Sequence, residues 1–164
     1  MREKIEIHIR RARPEEAEAL TALIRRSKAH WGYDEALLEI WRPQLTLRAE
    51  TIARDPVYCA EDARTGTLAG VSHWYALNDE EVYLDDLFVE PAYIGTGVGA
   101  RLWRHAVERA TAQDAREFVL DAEPNAQPFY EHMGAVVTGW QDSPDVPGRR
   151  LPRMRYDLPQ RREI

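Results

Sequence analysis

The sequence predicts a mixed α/β domain, with a mostly antiparallel sheet and helices on both faces. Three observations carry that expectation. Strand-like runs lie at residues 5–9, 57–61, 67–77 and 81–89. A glycine-rich loop at 91–99 follows the last of them and opens into a strongly amphipathic stretch at 101–112. Short strand and helix signals then alternate to the end of the chain. Antiparallel neighbours joined to a crossover call for helices packed against the sheet.

Each element has its own signature. Ile5, Ile7 and Ile9 alternate with polar residues, the period of a strand with one buried face. Pro14, followed by Glu15 and Glu16, opens a helix, because proline suits the first turn and acids there complement the dipole. Ala17, Leu20, Leu23 and Ile24 form its buried stripe. Gly32 interrupts the pattern, Leu37, Leu38 and Trp41 suggest a second helical piece stopped at Pro43, and residues 45–54 read as a third. The strands at 57–61, 67–77 and 81–89 are separated by Arg64-Thr65-Gly66 and by Asn78-Asp79, which predicts an antiparallel meander. After the helix at 101–112 come a strand at 118–121, a short helix at 127–133 stopped by Gly134, a strand at 135–138, a loop at 141–151 and a last strand at 154–158.

With 164 residues the chain predicts one domain over 1–164, with a core at about 5–158 and a frayed polar tail at 159–164. Such a domain buries roughly 70% of the surface its unfolded chain exposes and needs no disulfide or metal to hold it together. The only cysteine, Cys59, lies in an apolar strand and reads as a small core residue, which suits a reducing cytoplasm. A net charge of −6 argues against a nucleic-acid partner. No apolar run reaches the ~20 residues of a membrane span, and the first residues lack the apolar core of a signal peptide. The expectation is a soluble cytoplasmic protein.

The glycine-rich loop carries the chemistry. Gly95, Gly97 and Gly99 remove the side chains that would block a close approach, and the first-turn amides of the following helix point outward. With the helix dipole they form a site suited to an anion such as a diphosphate. A P-loop would need Gly-Lys-Ser/Thr, but Ala100 and Arg101 follow Gly99. A dinucleotide fold would need G-x-G-x-x-G behind an apolar parallel strand, whereas this strand carries Asp85 and Asp86. By themselves the glycines would equally serve a plain turn and helix start.

A second motif lies downstream, where Asn125 precedes Phe129, Tyr130 and Gly134. Taken together, Leu87-Phe88-Val89 through Gly99 and Asn125 through Gly134 resemble the two signature motifs of the GNAT (GCN5-related) N-acetyltransferases. These are a strand followed by P-x-(Y/F)-(R/Q)-G-x-G-x-G and a helix, and an asparagine followed by (F/Y)-Y-x-x-x-G. One position departs: Ile94 stands where the family has Arg or Gln ahead of the first glycine. The diphosphate contact would then fall to backbone donors, with Arg101 or Arg104 nearby.

The resemblance implies an acyl-CoA-dependent N-acetyltransferase with acetyl-CoA as cosubstrate and no metal. Its acceptor would be a primary amine of a small molecule or peptide, attacking directly. It implies cofactor contacts from Leu87, Phe88, Val89, Gly95, Thr96, Gly97, Val98, Gly99, Ala100 and Asn125. Asn125 equally reads as a helix cap. Tyr130 matches the family tyrosine that protonates the leaving thiolate. Asp85 and Asp86 are base candidates, and alternation puts only Asp85 on the face of Tyr83 and Leu87. Polyamine acetyltransferases of the family carry a similar stretch with an acid at that position. An ion-paired structural carboxylate remains the alternative. His73 is a second base candidate. A non-catalytic CoA-binding module and an enzyme using another acyl-CoA also stay open, and a homodimer is common in the family.

Overall fold

The computed structural model describes residues 5–160. Strands β1 (Ile7–Arg11), β2 (Val57–Asp62), β3 (Leu68–Ala76), β4 (Glu81–Val89), β5 (Glu117–Asp121), β6 (Val136–Asp142) and β7 (Arg150–Asp157) form one sheet. Its order is β1-β2-β3-β4-β5-β7-β6. The predicted mixed α/β class is therefore present, with β1–β2, β2–β3, β5–β7 and β6–β7 antiparallel and β4–β5 parallel. The helices are α1 (Ala17–Ala29), α2 (Glu35–Ile40), α3 (Ala49–Arg54), α4 (Val98–Ala112) and α5 (Gln127–His132). Among the described residues no helix is long and apolar enough to cross a membrane.

The chain forms two compact units, one of residues up to His73 with Asp86–Trp103, the other of Trp74–Asp85 with the residues from Arg104 on. The tail at 159–164 lies outside the described residues from 161 on.

In the first unit, α1 buries Leu20, Leu23 and Ile24. The start of α4 packs Val98 and Leu102 against Ile7, Ala60 and Ala69, with Leu87, Val89 and Tyr93 at the margin. Small residues bring that helix close to the sheet. A Cβ on Gly70 would lie 2.8 Å from Leu102 Cδ1, 3.0 Å from the Phe88 carbonyl oxygen and 3.2 Å from Val98 Cγ1. Gly70→Ala is therefore expected to cost about 1–3 kcal/mol, because the added methyl must push a packed helix off the strand. The check is the denaturant midpoint, and an unchanged midpoint would contradict this tight seating.

Residues 45–48 are not helical, contrary to the sequence expectation; α3 begins at Ala49. The reason lies in α1, where the Thr21 hydroxyl donates to the Leu47 carbonyl at 3.1 Å and accepts from its N–H at 3.0 Å. These bonds satisfy a buried backbone without a helical turn. Cys59 is fully buried, as expected, and burial pushes its thiol up to about 11.

In the second unit, Phe118, Leu120 and Met154 are buried, and Trp74 meets Phe118 edge-on with centroids 6.4 Å apart. The turn at Asn78 forms as read: its side-chain oxygen accepts from the amides of Glu80 and Glu81, both at 2.9 Å. Gly134 ends α5 with φ of 101°. The last hairpin is longer than predicted. β7 begins at Arg150, with Asp142 opposite Arg150 and Trp140 opposite Pro152. Pro152 suggests a loop, yet it keeps its acceptor, and Ala122 donates to its carbonyl at 2.9 Å. The arginines of this hairpin are ion-paired. Arg153 binds Asp121 at 2.9 Å, Arg149 binds Glu123 at 3.3 Å, and Arg155 binds Glu117 and Asp157.

Candidate functional site

The glycine loop is built from the inside out. Glu90 directly follows β4; its N–H donates to the Ala69 carbonyl at 2.9 Å, and its carboxylate takes a bidentate contact from Arg26 of α1 at 2.8 and 2.9 Å. A single 3-10 turn, Pro91–Tyr93, comes next, and the Tyr93 hydroxyl donates to Asp62 at 2.8 Å. The loop is thus tied to α1, β2 and β3 before the first glycine.

Gly95 and Gly97 have φ of 82° and 90°, the left-handed region that residues with a Cβ avoid. A Cβ on either would meet nothing within 4 Å, so the glycines turn the chain and leave open space beside it. Thr96 donates both its amide and its hydroxyl to the Tyr93 carbonyl, so its polar groups serve the turn. The Gly97 carbonyl accepts from Arg101 N–H at 3.1 Å, which makes Gly97 the N-cap of α4. Helix geometry leaves the amides of Val98, Gly99 and Ala100 without partners inside the helix. Val98 buries its side chain beneath them, which anchors the turn. Ile94 is 43% exposed.

Leu87, Phe88 and Val89 are half-buried at the end of β4. The β4–β5 ladder pairs Glu81 with Glu117, Val82 with Phe118 and Tyr83 with Val119. β4 itself continues to Val89.

His73 and Asp86 come together. His73 is 4% exposed; its Nδ1 lies 3.2 Å from Asp86 and its Nε2 lies 2.9 Å from Asp55. Asp55 caps the end of α3, and its carboxyl is held below the usual range, first by Arg54 and then by His73, against the opposing effect of burial. Asp86 therefore meets a histidine.

In the second unit, Asp85 is exposed and Tyr83 half-buried on one side of β4, while Val82 and Leu84 are buried on the other. The alternation reads as predicted. The Tyr83 hydroxyl donates to Asp121 at 2.8 Å; burial, then the Asp121 carboxylate, pushes it well above the usual tyrosine range. Tyr130 sits on α5 at 7% exposure, its ring edge-on to Phe129 at 5.2 Å. Asn125 is exposed in the turn before α5, and its side-chain amide donates to Glu123 at 2.8 Å. Glu123, not Asn125, caps that turn, accepting from the Asn125 amide at 3.3 Å. Sequence reading missed Glu123, Asp55 and Glu90, each of which has a partner distant in the chain: Arg149, His73 and Arg26.

Comparison with known proteins places the chain. The Acetyltransferase (GNAT) domain family matches residues 38–158. The peptidyl-lysine N-acetyltransferase YjaB of Salmonella typhimurium is 30% identical over 146 residues, which cover 83% of this chain and 97% of that protein. The Escherichia coli K12 protein of the same name is 27% identical over 133 residues, 75% of this chain and 88% of that one. Among solved structures, the PaiA N-acetyltransferase of Thermoplasma acidophilum in complex with coenzyme A aligns with a TM-score of 0.76 at 23% identity. That alignment covers 93% of this chain and 99% of that one, and it bears on the fold. The family match over most of the length agrees with the motifs at Leu87–Gly99 and Asn125–Gly134, and the chain belongs to the GNAT family of N-acetyltransferases.

Proposed function

We propose that the protein transfers the acetyl group of acetyl-CoA to a primary amine by direct attack. The observation that carries this reading is the open space beside Gly95 and Gly97, directly ahead of the first amides of α4. In this reading those amides receive the cofactor diphosphate, as helix N-termini do. The backbone of Leu87, Phe88 and Val89 pairs with the pantetheine arm and donates to the thioester oxygen as it gains charge. Asn125 contacts the same arm, Asp85 takes the amine proton, and Tyr130 gives a proton to the leaving sulfur. The likeness to YjaB, named a peptidyl-lysine N-acetyltransferase, supports a lysine side chain on a peptide or protein as acceptor, with a small amine as the alternative. The reading is completed by a single catalytic domain acting in the cytoplasm, with a homodimer as its natural assembly.

Acetyl-CoA should raise the melting temperature and NAD should not. Peptides bearing lysine, screened beside polyamines and amino acids, should release thiol from acetyl-CoA. Stabilisation by NAD alone, or no thiol release with any amine, would contradict the reading. Asp85→Asn should lower the rate most at low pH, where more of the amine carries its extra proton. A larger loss in Asp86→Asn would move the base to that residue.

A further inference from the structure

We propose that His73 is a positioning residue, held as an imidazolium that rivets the end of α3 to β4 one residue before Leu87. The geometry is a chain of four groups in alternating charge. Arg54 Nε lies 3.0 Å from an Asp55 oxygen, the other Asp55 oxygen lies 2.9 Å from His73 Nε2, and His73 Nδ1 lies 3.2 Å from Asp86. Only Arg54, at the outer end, is well exposed; the side chains of Asp55, His73 and Asp86 are 14%, 5% and 13% exposed.

A neutral imidazole has one N–H and one lone pair. Facing two carboxylates, it would set that lone pair against a carboxylate oxygen at one end, in a place with little water to relieve the repulsion. An imidazolium donates at both ends. Asp55 is kept ionised by Arg54, so the extra proton belongs to the ring and to its contact with Asp86. The charged groups gathered here include Arg54 and Asp55 at the end of α3, and Asp86 with its chain neighbour Asp85 on β4. Arg11 from β1 reaches the Asp55 carbonyl at 2.6 Å. On β2, His73 lies opposite Val57, which carries no charge.

The consequence rests on the reading that Leu87–Val89 present their amides to the thioester. A doubly bonded ring fixes Asp86, and with it the start of that segment. Loss of the second ring proton breaks one link and loosens the segment, so turnover should fall on the alkaline side as His73 titrates. Asp55→Asn removes the need for the charge, because the asparagine amide can donate to a neutral Nε2.

Long-range proton–nitrogen correlation spectra of the full chain, with nitrogen-15 in its histidines, decide the matter without substrate. Both ring nitrogens of His73 should be protonated at pH 7.5 in the wild type, whereas Asp55→Asn should show a single neutral tautomer. A neutral His73 in the wild type would overturn the proposal, whether or not any variant folds. The pH profile of kcat adds an independent arm. The wild type should lose about tenfold per pH unit beyond the titration of His73, and Asp55→Asn should lack that limb. The same alkaline limb in both proteins would overturn the positioning role. A chain that turned over no amine would count against acetyl transfer, yet the spectra would still decide the bridge.

Discussion

Replacing Tyr130 by phenylalanine is expected to lower kcat by about a hundredfold while leaving coenzyme A binding within a factor of about two. The ring is 7% exposed and packs edge-on against Phe129, so phenylalanine fills the same space and only the hydroxyl is lost. An ordinary tyrosine hydroxyl, with a pKa near 10, is protonated at neutral pH and able to donate. A free thiol has a pKa of about 8.5, so a departing thiolate gains from a donated proton. Single-turnover kinetics with acetyl-CoA and an amine acceptor would separate chemistry from binding. The loss should fall on the chemical step and shrink for a thioester whose leaving thiol is more acidic. Wild-type turnover in Tyr130→Phe would remove the residue from proton transfer.

Gly97→Val is expected to weaken coenzyme A by tenfold or more, equivalent to about 1.4 kcal/mol. Two costs combine. The φ of 90° is a conformation a β-branched residue avoids, and forcing it costs roughly 1–2 kcal/mol. The new side chain also enters the open space where the diphosphate would arrive. Gly148→Val separates the two, because Gly148 has φ of 80° and equally open surroundings, in the loop between β6 and β7. Both variants should lose stability, and only Gly97→Val should lose the thermal shift given by coenzyme A. Equal losses of binding would mean that backbone strain alone explains the effect.

Much of the fold was legible because its signals are local. The meander at β2–β4 was marked by apolar runs and by turn residues at Gly66 and Asn78, and β4 matched residue for residue. That a helix follows the alternate glycines was legible, but it begins at Val98 rather than at 101, because only Gly95 and Gly97 take positive φ and Gly99 already lies in the helix. What escaped is long-range. Nothing near Glu90 announces Arg26, 64 residues away, and nothing near Asp55 announces His73. Gly70 reads as an ordinary strand residue, but its role depends on a helix that comes only after the next strand. The early start of β7 escaped because proline and arginine weigh toward loop by propensity. Pairing with β5 and β6, and the ion pairs of Arg153 and Arg155, outweigh that preference.

The central claim is that first-turn amides of α4 hold the diphosphate. Titrating coenzyme A, and separately pantetheine, into uniformly nitrogen-15-labelled protein reads those amides one by one. Coenzyme A should move Val98, Gly99 and Ala100 together with Leu87–Val89, and pantetheine should move only the latter group. Saturable binding of coenzyme A that left Val98, Gly99 and Ala100 unmoved would contradict it.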